Sequence, residues 1–342
     1  MKEQKNKMQS KLRYSVLLLL VIMVVLWVLN YNRPIQYQKC SGIVWTTQYN
    51  ITYQSDKRFD DSIQIIFKNV DNSLSMYNKK SLISRINIGE DVLVDSMIKY
   101  LYEASVKVHD ETGGAFDPTV SPLMRLWGFV EKNGIIPDST QIDSVCEFVG
   151  LKQTLLLNGK LKKHDVRTAF DFSAIAKGFA CDEIGGMFRR NNIENYLVEI
   201  GGEIALNGVN PIGEKWKISV DSPVWSNDSV IHENSIIVEL DNGGIATSGN
   251  YRNYKELSGK RIVHTMNPKT GYPEESNLLS ATIVAENCMY ADAYATACMV
   301  MGLNRSIEFL EKHTELGGFL VYSEGNDSLS VWSNSSFVKL IQ

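Results

Sequence analysis

The chain lacks the usual marks of a protein built on disulfides or on a thiolate or imidazole metal centre. Its five cysteines, Cys40, Cys146, Cys181, Cys288 and Cys298, form no Cys-x-x-Cys pair and have no histidine at ligand spacing. An odd, scattered set provides no disulfide framework and leaves at least one thiol unpaired. Cys181 and Cys298 fall within helical apolar patterns and read as small buried hydrophobes. With only eight prolines, 24 glycines and no internal repeat in 342 residues, collagenous, linker-like and solenoid chains are excluded. A net positive balance is missing outside the first 13 residues. Those carry Lys2, Lys5, Lys7, Lys11 and Arg13 against Glu3, a balance of +4, and the overall charge of −4 leaves −8 for the rest. An acidic body excludes nucleic acid as the partner, because that affinity comes chiefly from Lys and Arg on phosphates. What is present is 44% apolar and 22% charged, a globular composition sufficient for one large domain or two modest ones.

One hydrophobic run is long. Val16 to Leu29 is unbroken, and Tyr14, Ser15, Asn30 and Tyr31 extend it to residues 14–31. At about 1.5 Å per residue this is about 27 Å of helix, close to a bilayer core. No small-residue cleavage pattern follows in Asn30-Tyr31-Asn32-Arg33-Pro34. The sequence therefore predicts an uncleaved transmembrane signal anchor over 14–31 behind a cytoplasmic basic head over 1–13. By the positive-inside rule the protein is expected in the inner membrane, single-pass, with a linker over 32–41 and residues 42–342 on the periplasmic side. Tyr37-Gln38-Lys39 ahead of Cys40 is too polar and bulky for a lipidation signal.

Beyond residue 42 the patterning alternates between two periods. Ile43 to Tyr53 reads as a strand. Ile63, Ile66, Phe67 and Val70 mark a helix, and Met97, Leu101, Ala104 and Val108 line a longer one from about Asp91 to Glu111, stopped at Gly113. Further helices are predicted at Ala174 to Arg190, Ala291 to Gly302 and Arg305 to Lys312. Strands are predicted at Tyr196 to Ile200, Lys215 to Asp221, Ser235 to Leu240, Arg261 to Met266, Ser280 to Ala285 and Phe319 to Tyr322. Grouped strands with helices before and between them predict an α+β domain with a mainly antiparallel sheet.

Four polar, glycine-containing stretches interrupt this pattern: Thr112 to Thr119, Asp171 to Gly178, Gly244 to Gly249 and His264 to Gly271. The second opens a helix. Its unpaired N–H groups and the Lys177 charge suit a phosphate or pyrophosphate, and Asp and Ser there equally suit a cap. Asp292 and Thr296 stand four apart on one helix face. A carboxylate with a hydroxyl suits a hard cation such as Mg²⁺, and the same pair also reads as a helix-start Asp with a Thr bonding back to the i−4 carbonyl. His264 ends a strand before a Pro-Gly turn, where an imidazole serves as a proton acceptor; His109, His164, His232 and His313 lack that context. Asp117, between Phe116 and Pro118, caps a turn or holds a polar ligand edge. Tyr77 and Trp45 offer rings for a flat heterocycle or for the core.

In their order these segments resemble the ApbE family of flavin transferases, over about residues 42 to 335. The resemblance rests on Leu74-Ser-Met-Tyr77 with Ser81 to Asn87, Thr112 to Pro118 with Leu126-Trp-Gly-Phe129, and Asp171 to Gly178. It continues through Tyr196 to Glu203, Ala246 to Tyr251, His264 to Pro273 and Ala291-Asp-Ala-Tyr-Ala-Thr296. The family's Met-Gly-Thr is replaced by Trp45-Thr46-Thr47, and a glycine often found before Ile175 is Ala174.

The resemblance implies a single ApbE-like (T-fold-like) catalytic domain of α+β class over 42–342. It also implies an Mg²⁺-dependent FAD:protein FMN transferase that moves FMN from FAD to a threonine of a membrane-associated redox subunit and releases AMP. By family position His264 would be the base, and Asp292, Thr296 and the Ala174 carbonyl would hold the metal. Trp45, Tyr77, Ala115, Phe116, Asp117, Lys177 and the main chain at Met266 would line the FAD site. A periplasmic FAD pyrophosphatase and a non-catalytic flavin-binding protein are the competing expectations.

Overall fold

The protein is described from a computed structural model that covers residues 14–23, 36–130, 136–226, 229–250, 254–257, 260–325 and 328–342. Helix α1 is described over residues 14–23, all of them exposed. Among the described residues no helix is long and apolar enough to cross a membrane. This overturns the expected transmembrane helix over 14–31, and with it the single-pass inner-membrane localisation and the membrane as a partner. Residues 1–13 and 24–31 of that expectation lie outside the described residues.

The first part of the domain runs β1 (Tyr37–Val44), β2 (Thr47–Gln54), α2 (Asp60–Leu74), α3 (Leu82–Asn87), α4 (Ser96–Glu111), α5 (Ser121–Leu126), α6 (Ser139–Cys146), β3 (Thr154–Leu157) and β4 (Lys160–Lys163). It continues with α7 (Ser173–Arg190), β5 (Tyr196–Ile200), β6 (Glu203–Asn207), β7 (Trp216–Ser226), β8 (Ser229–Leu240) and β9 (Asn242–Gly249). The last part holds β10 (Tyr254–Leu257), β11 (Lys260–Val263), β12 (Leu278–Ala285), α8 (Cys288–Lys312), β13 (Gly317–Gly325), β14 (Ser328–Ser333) and α9 (Ser335–Val338). Eight strands form one sheet in the order β1-β2-β5-β6-β9-β12-β13-β14, antiparallel at every step. The expected α+β class with an antiparallel sheet is what the chain adopts.

Strand alternation sends apolar side chains to both faces of this sheet. On one face Ile51, Val198, Ala281, Ile283 and Leu320 join the main core with α2, α4, α7 and α8. On the other, Val284, Phe319 and Val321 pack with Trp216, Ile218 and Val238 of the β7–β8 ribbon and Phe337 of α9. A strand buried on both faces needs no polar alternation, which explains the nearly continuous apolar run of β12.

Three local outcomes differ from the sequence pattern or refine it. The expected single strand from Ile43 to Tyr53 is a hairpin, with Trp45 and Thr46 in the turn at φ 47° and 65°. Left-handed backbone at both positions is the geometry of a two-residue turn usually signalled by Asn or Gly, so the sequence concealed it. The stretch Gly244 to Gly249 is not a break but part of central strand β9. Its glycine serves close approach: a Cβ at Gly244 would lie 2.2 Å from the Cys288 nitrogen. The two helices expected from Ala291 and Arg305 are joined in α8, with Gly302 at non-helical φ 72°, ψ 176° between them.

Helices α7 and α8 cross at very short range. A Cβ at Gly178 would stand 2.4 Å from the Cys288 carbonyl oxygen and 2.8 Å from Met289 Cα. Two side chains satisfy three N–H groups at the start of α8. Asn287 caps the Tyr290 N–H at 2.9 Å, and the Asp182 carboxylate of α7 accepts the N–H groups of Cys288 and Met289 at 3.0 and 2.8 Å. This crossing fixes the positions of Lys177 and Asp292 relative to one another.

Candidate active site

A cleft of about 500 Å³ opens where α7, α8, the start of β6 and the end of β9 meet. It brings together His264, Ala115, Phe116, Asp117, Lys177, Met266, Ala174, Asp292 and Thr296, all singled out from the sequence. Trp45 and Tyr77 are not among the lining residues. Trp45 sits edge-on to Phe67 with ring centroids 5.5 Å apart. Tyr77 is 76% exposed.

The loop after α4 supplies Ala115, Phe116 and Asp117. Two left-handed glycines, Gly113 and Gly114 at φ 60° and 81°, turn the chain back, and the Thr112 hydroxyl donates to the Val108 carbonyl at 2.6 Å. Asp117 Oδ1 accepts from the Thr119 N–H at 2.8 Å and from its hydroxyl at 2.6 Å, while Oδ2 accepts from the Leu151 N–H at 2.9 Å. The carboxylate therefore fastens its own loop, the turn-capping role of the two that the sequence left open. His109, set aside on sequence grounds, holds the same loop. Its Nδ1 lies 3.0 Å from the Phe116 carbonyl, an acceptor only, so Nδ1 carries the proton; Asp117 Oδ2 is 3.6 Å away.

Lys177, in the second turn of α7, pairs with the Glu203 carboxylate. Glu203 opens β6 directly after Gly201 and Gly202, at φ 69° and 107°, and is 4% exposed. Its Oε2 has no hydrogen-bond partner among the described residues. Burial and then Asp292 push the Glu203 carboxyl up to about 7, against the opposing pull of Lys177. Burial disfavours the Lys177 ammonium, but Asp292 and Glu203 outweigh it and raise its pKa, so the lysine stays charged. Asp292 is raised by burial, with Lys177 and the Gly178 N–H opposing. Glu203 was the residue missed. Its sequence signal is an acidic side chain beginning an otherwise apolar strand after a Gly-Gly turn.

Asp292 and Thr296 leave α8 one turn apart and reach the same cleft, as their spacing predicts. Thr296 Oγ1 is 3.1 Å from Ser248 Oγ of β9. The Gly178 N–H, which helix geometry directs toward the Ala174 carbonyl four residues back, donates to Asp292 Oδ2 at 3.1 Å. Asp292, Ala174 and Gly178 thus share a small volume. Among the described residues no group of three or more His, Cys, Asp or Glu side chains stands where it could hold a metal ion. The expected metal-binding character is corrected accordingly: the charged side chains here build no metal cage.

His264 follows β11 directly, and the turn beyond it is well anchored. The Gly271 N–H donates to the Asn267 carbonyl at 2.9 Å, and the Trp127 indole donates to the Gly271 carbonyl at 2.8 Å. The Trp-Gly pair of the sequence thereby ties the α5 end to the histidine loop. The Thr265 hydroxyl donates to Asn250 Oδ1 at 2.6 Å, holding the same loop to the end of β9.

Known proteins share this architecture. The "FAD:protein FMN transferase" of Haemophilus influenzae is 33% identical over 323 residues, covering 88% of this chain and 91% of the relative. That of Escherichia coli strain K12 is 31% identical, covering 87% and 86%. Among solved structures, the flavin transferase ApbE from Vibrio cholerae superposes with a TM-score of 0.78 at 29% identity, covering 89% of this chain and 99% of that one. The apo form of Pseudomonas stutzeri flavinyl transferase ApbE gives 0.80 at 28% identity, covering 89% and 96%. Residues 45–320 match the ApbE family, a span that takes in every element of the cleft, and the chain belongs to that family.

Proposed function

We propose that this chain is an FAD:protein FMN transferase, which moves FMN from FAD onto a threonine hydroxyl of a partner flavoprotein and releases AMP. The carrying observation is that Lys177, Asp292, Thr296 and His264 converge on one cleft of dinucleotide-accepting size. The similarity to FAD:protein FMN transferases of Haemophilus influenzae and Escherichia coli supports it.

In this reading the threonine oxygen attacks the phosphorus of the FMN half. The new P–O bond forms as the P–O bond to the AMP half breaks, and that electron pair leaves with AMP. The hydroxyl proton goes to His264, since a threonine hydroxyl is a weak nucleophile without a base. Lys177 neutralises charge on the phosphoryl oxygens, and the loop Ala115–Asp117 with the Met266 main chain borders the flavin-bearing ligand. A charge stabiliser of this kind contributes about 3 kcal/mol to lowering the barrier.

Mg²⁺ dependence belongs to the same proposal. Two buried carboxylates, Asp292 and Glu203, face a single ammonium, so the cleft carries surplus negative charge that suits a hard cation. Asp292, the Thr296 hydroxyl and the Ala174 carbonyl are the oxygens that would hold it. They are too few and too weakly charged to do so without a ligand's phosphates, which is the usual manner of Mg²⁺. When bound, it supplies positive charge at the diphosphate.

The test mixes the protein with FAD, MgCl₂ and a flavoprotein domain bearing an acceptor threonine. A mass gain of one FMN on the acceptor, with an equal amount of AMP, is expected. AMP appearing at the same rate with and without the acceptor would instead make water the acceptor, and neither product would refute the reading.

A further inference from the structure

The cleft contains a residue that the transfer chemistry does not use. Glu203 is 4% exposed, lines the cleft and pairs with Lys177 through Oε1, while Oε2 has no hydrogen-bond partner among the described residues. A buried, half-satisfied carboxylate is costly to keep, so its place calls for a reason.

The surrounding backbone is shaped around it. Gly201 and Gly202 carry the chain from β5 into β6 in left-handed conformations. A Cβ at Gly201 would lie 2.8 Å from Thr47 Oγ1 and 3.4 Å from Glu203 Oε2. No side chain fits there without displacing the carboxylate or the hairpin tip. On its other side Cys181 of α7 donates its thiol to the Glu203 carbonyl at 3.3 Å. Glu203 is thus held from two directions, and the more exposed member of the pair is Lys177, whose side chain is 34% exposed against 5% for Glu203.

Lys177 has two anionic neighbours. Asp292 is anchored by the Gly178 N–H, and Glu203 by its strand. An ammonium on a flexible stem settles against whichever carboxylate is closest and best placed. With Glu203 neutral, Asp292 would be the stronger remaining attraction for it, and the lysine would turn away from the β6 side of the cleft.

We propose that Glu203 is a positioning residue: by pairing with Lys177 it holds the ammonium between α7 and β6, where it meets a dinucleotide's diphosphate. This rests on the reading of the cleft as an FAD site. Glu203 does not itself touch the reacting atoms, so its effect on ligand binding runs through Lys177.

The consequence is a specific non-additivity. FAD affinity is measured by quenching of flavin fluorescence on the full chain, for the wild type, Glu203→Gln, Lys177→Met and the double variant, with melting temperatures recorded for each. Glu203→Gln is expected to weaken FAD binding roughly tenfold. Lys177→Met is expected to weaken it by at least as much, and the double variant no further than Lys177→Met alone. Glu203→Asp, which keeps the charge, is expected to recover most of the affinity, and Glu203→Ala replaces Glu203→Gln in the cycle if the latter does not fold. Losses that multiply in the double variant, or a Glu203→Gln protein that binds FAD like the wild type, would overturn the proposal while leaving the FAD site intact. A wild-type protein that binds no FAD would instead overturn the reading on which the proposal rests.

Discussion

Gly178→Ala tests whether the α7–α8 crossing sets the site. The added methyl would stand 2.4 Å from the Cys288 oxygen, 2.7 Å from its carbonyl carbon and 2.8 Å from Met289 Cα. All three are backbone atoms, so no side chain can swing aside, and restoring ordinary contact requires the helices to part by about 1 Å. Overpacking of this kind costs about 3 kcal/mol at the upper end of its common range, and alanine returns about 1 kcal/mol of helix propensity. A net loss of about 2 kcal/mol follows, or a fall in melting temperature of roughly 4–8 °C. The same shift separates Lys177 from Asp292, and about 1 Å of misplacement commonly costs about a hundredfold in rate. Gly186→Ala, in the same helix, is the control. There the methyl meets only the tips of Arg190 at 3.2 Å and Arg189 at 3.9 Å, so propensity should prevail and stability should hold or rise. Denaturant unfolding and AMP release on both variants provide the comparison. A Gly178→Ala protein as stable and as active as the wild type would refute the argument.

Three further outcomes are expected. His264→Ala should slow FMN transfer by about 10² to 10⁴ while leaving FAD affinity intact, and a loss smaller than tenfold in single-turnover kinetics would remove the imidazole from its role as base. Thr46→Gly should raise the unfolding free energy by about 0.5–1 kcal/mol, because a β-branched residue at φ 65° is strained and glycine is not; an unchanged denaturation midpoint would argue against strain there. Asp182 provides a pH test. Burial pushes its carboxyl up to about 7, with the Met289 and Cys288 N–H groups opposing. The folded state therefore keeps a proton that the unfolded chain releases near pH 4, so this stability is full below that pH and is lost as pH rises through 7. Melting temperature should fall from about pH 5 to pH 8, and Asp182→Asn should flatten the slope. An unchanged slope would assign the effect elsewhere.

The sequence made most of the cleft legible because its polar, glycine-containing segments are short and ordered, and each carries one chemically distinctive side chain. Helical spacing put Asp292 and Thr296 on one face and Lys177 in the first turns of a helix, but each also read as a capping device until the order of the segments resembled the family. Two things were not legible. Trp45 and Thr46 form a turn with none of the residues that normally announce one, so the hairpin looked like a continuous strand. Glu203 and His109 gain their importance from partners distant in the chain, Lys177 and the Phe116 carbonyl, and no local pattern marks such pairings. The anchor expectation rested on hydropathy, and among the described residues no helix is long and apolar enough to cross a membrane.

Gly178 and Asp292 are 114 residues apart, and their hydrogen bond joins the two helices at the cleft. At a translation speed of roughly 5–20 residues per second, the ribosome delivers the second partner roughly 6–23 seconds after the first. During that interval the nascent polypeptide displays a lysine and a lone glutamate with no opposing aspartate, and strands β13 and β14 have yet to close the sheet. The cleft wall that these two helices share therefore cannot be completed before α8 has been made.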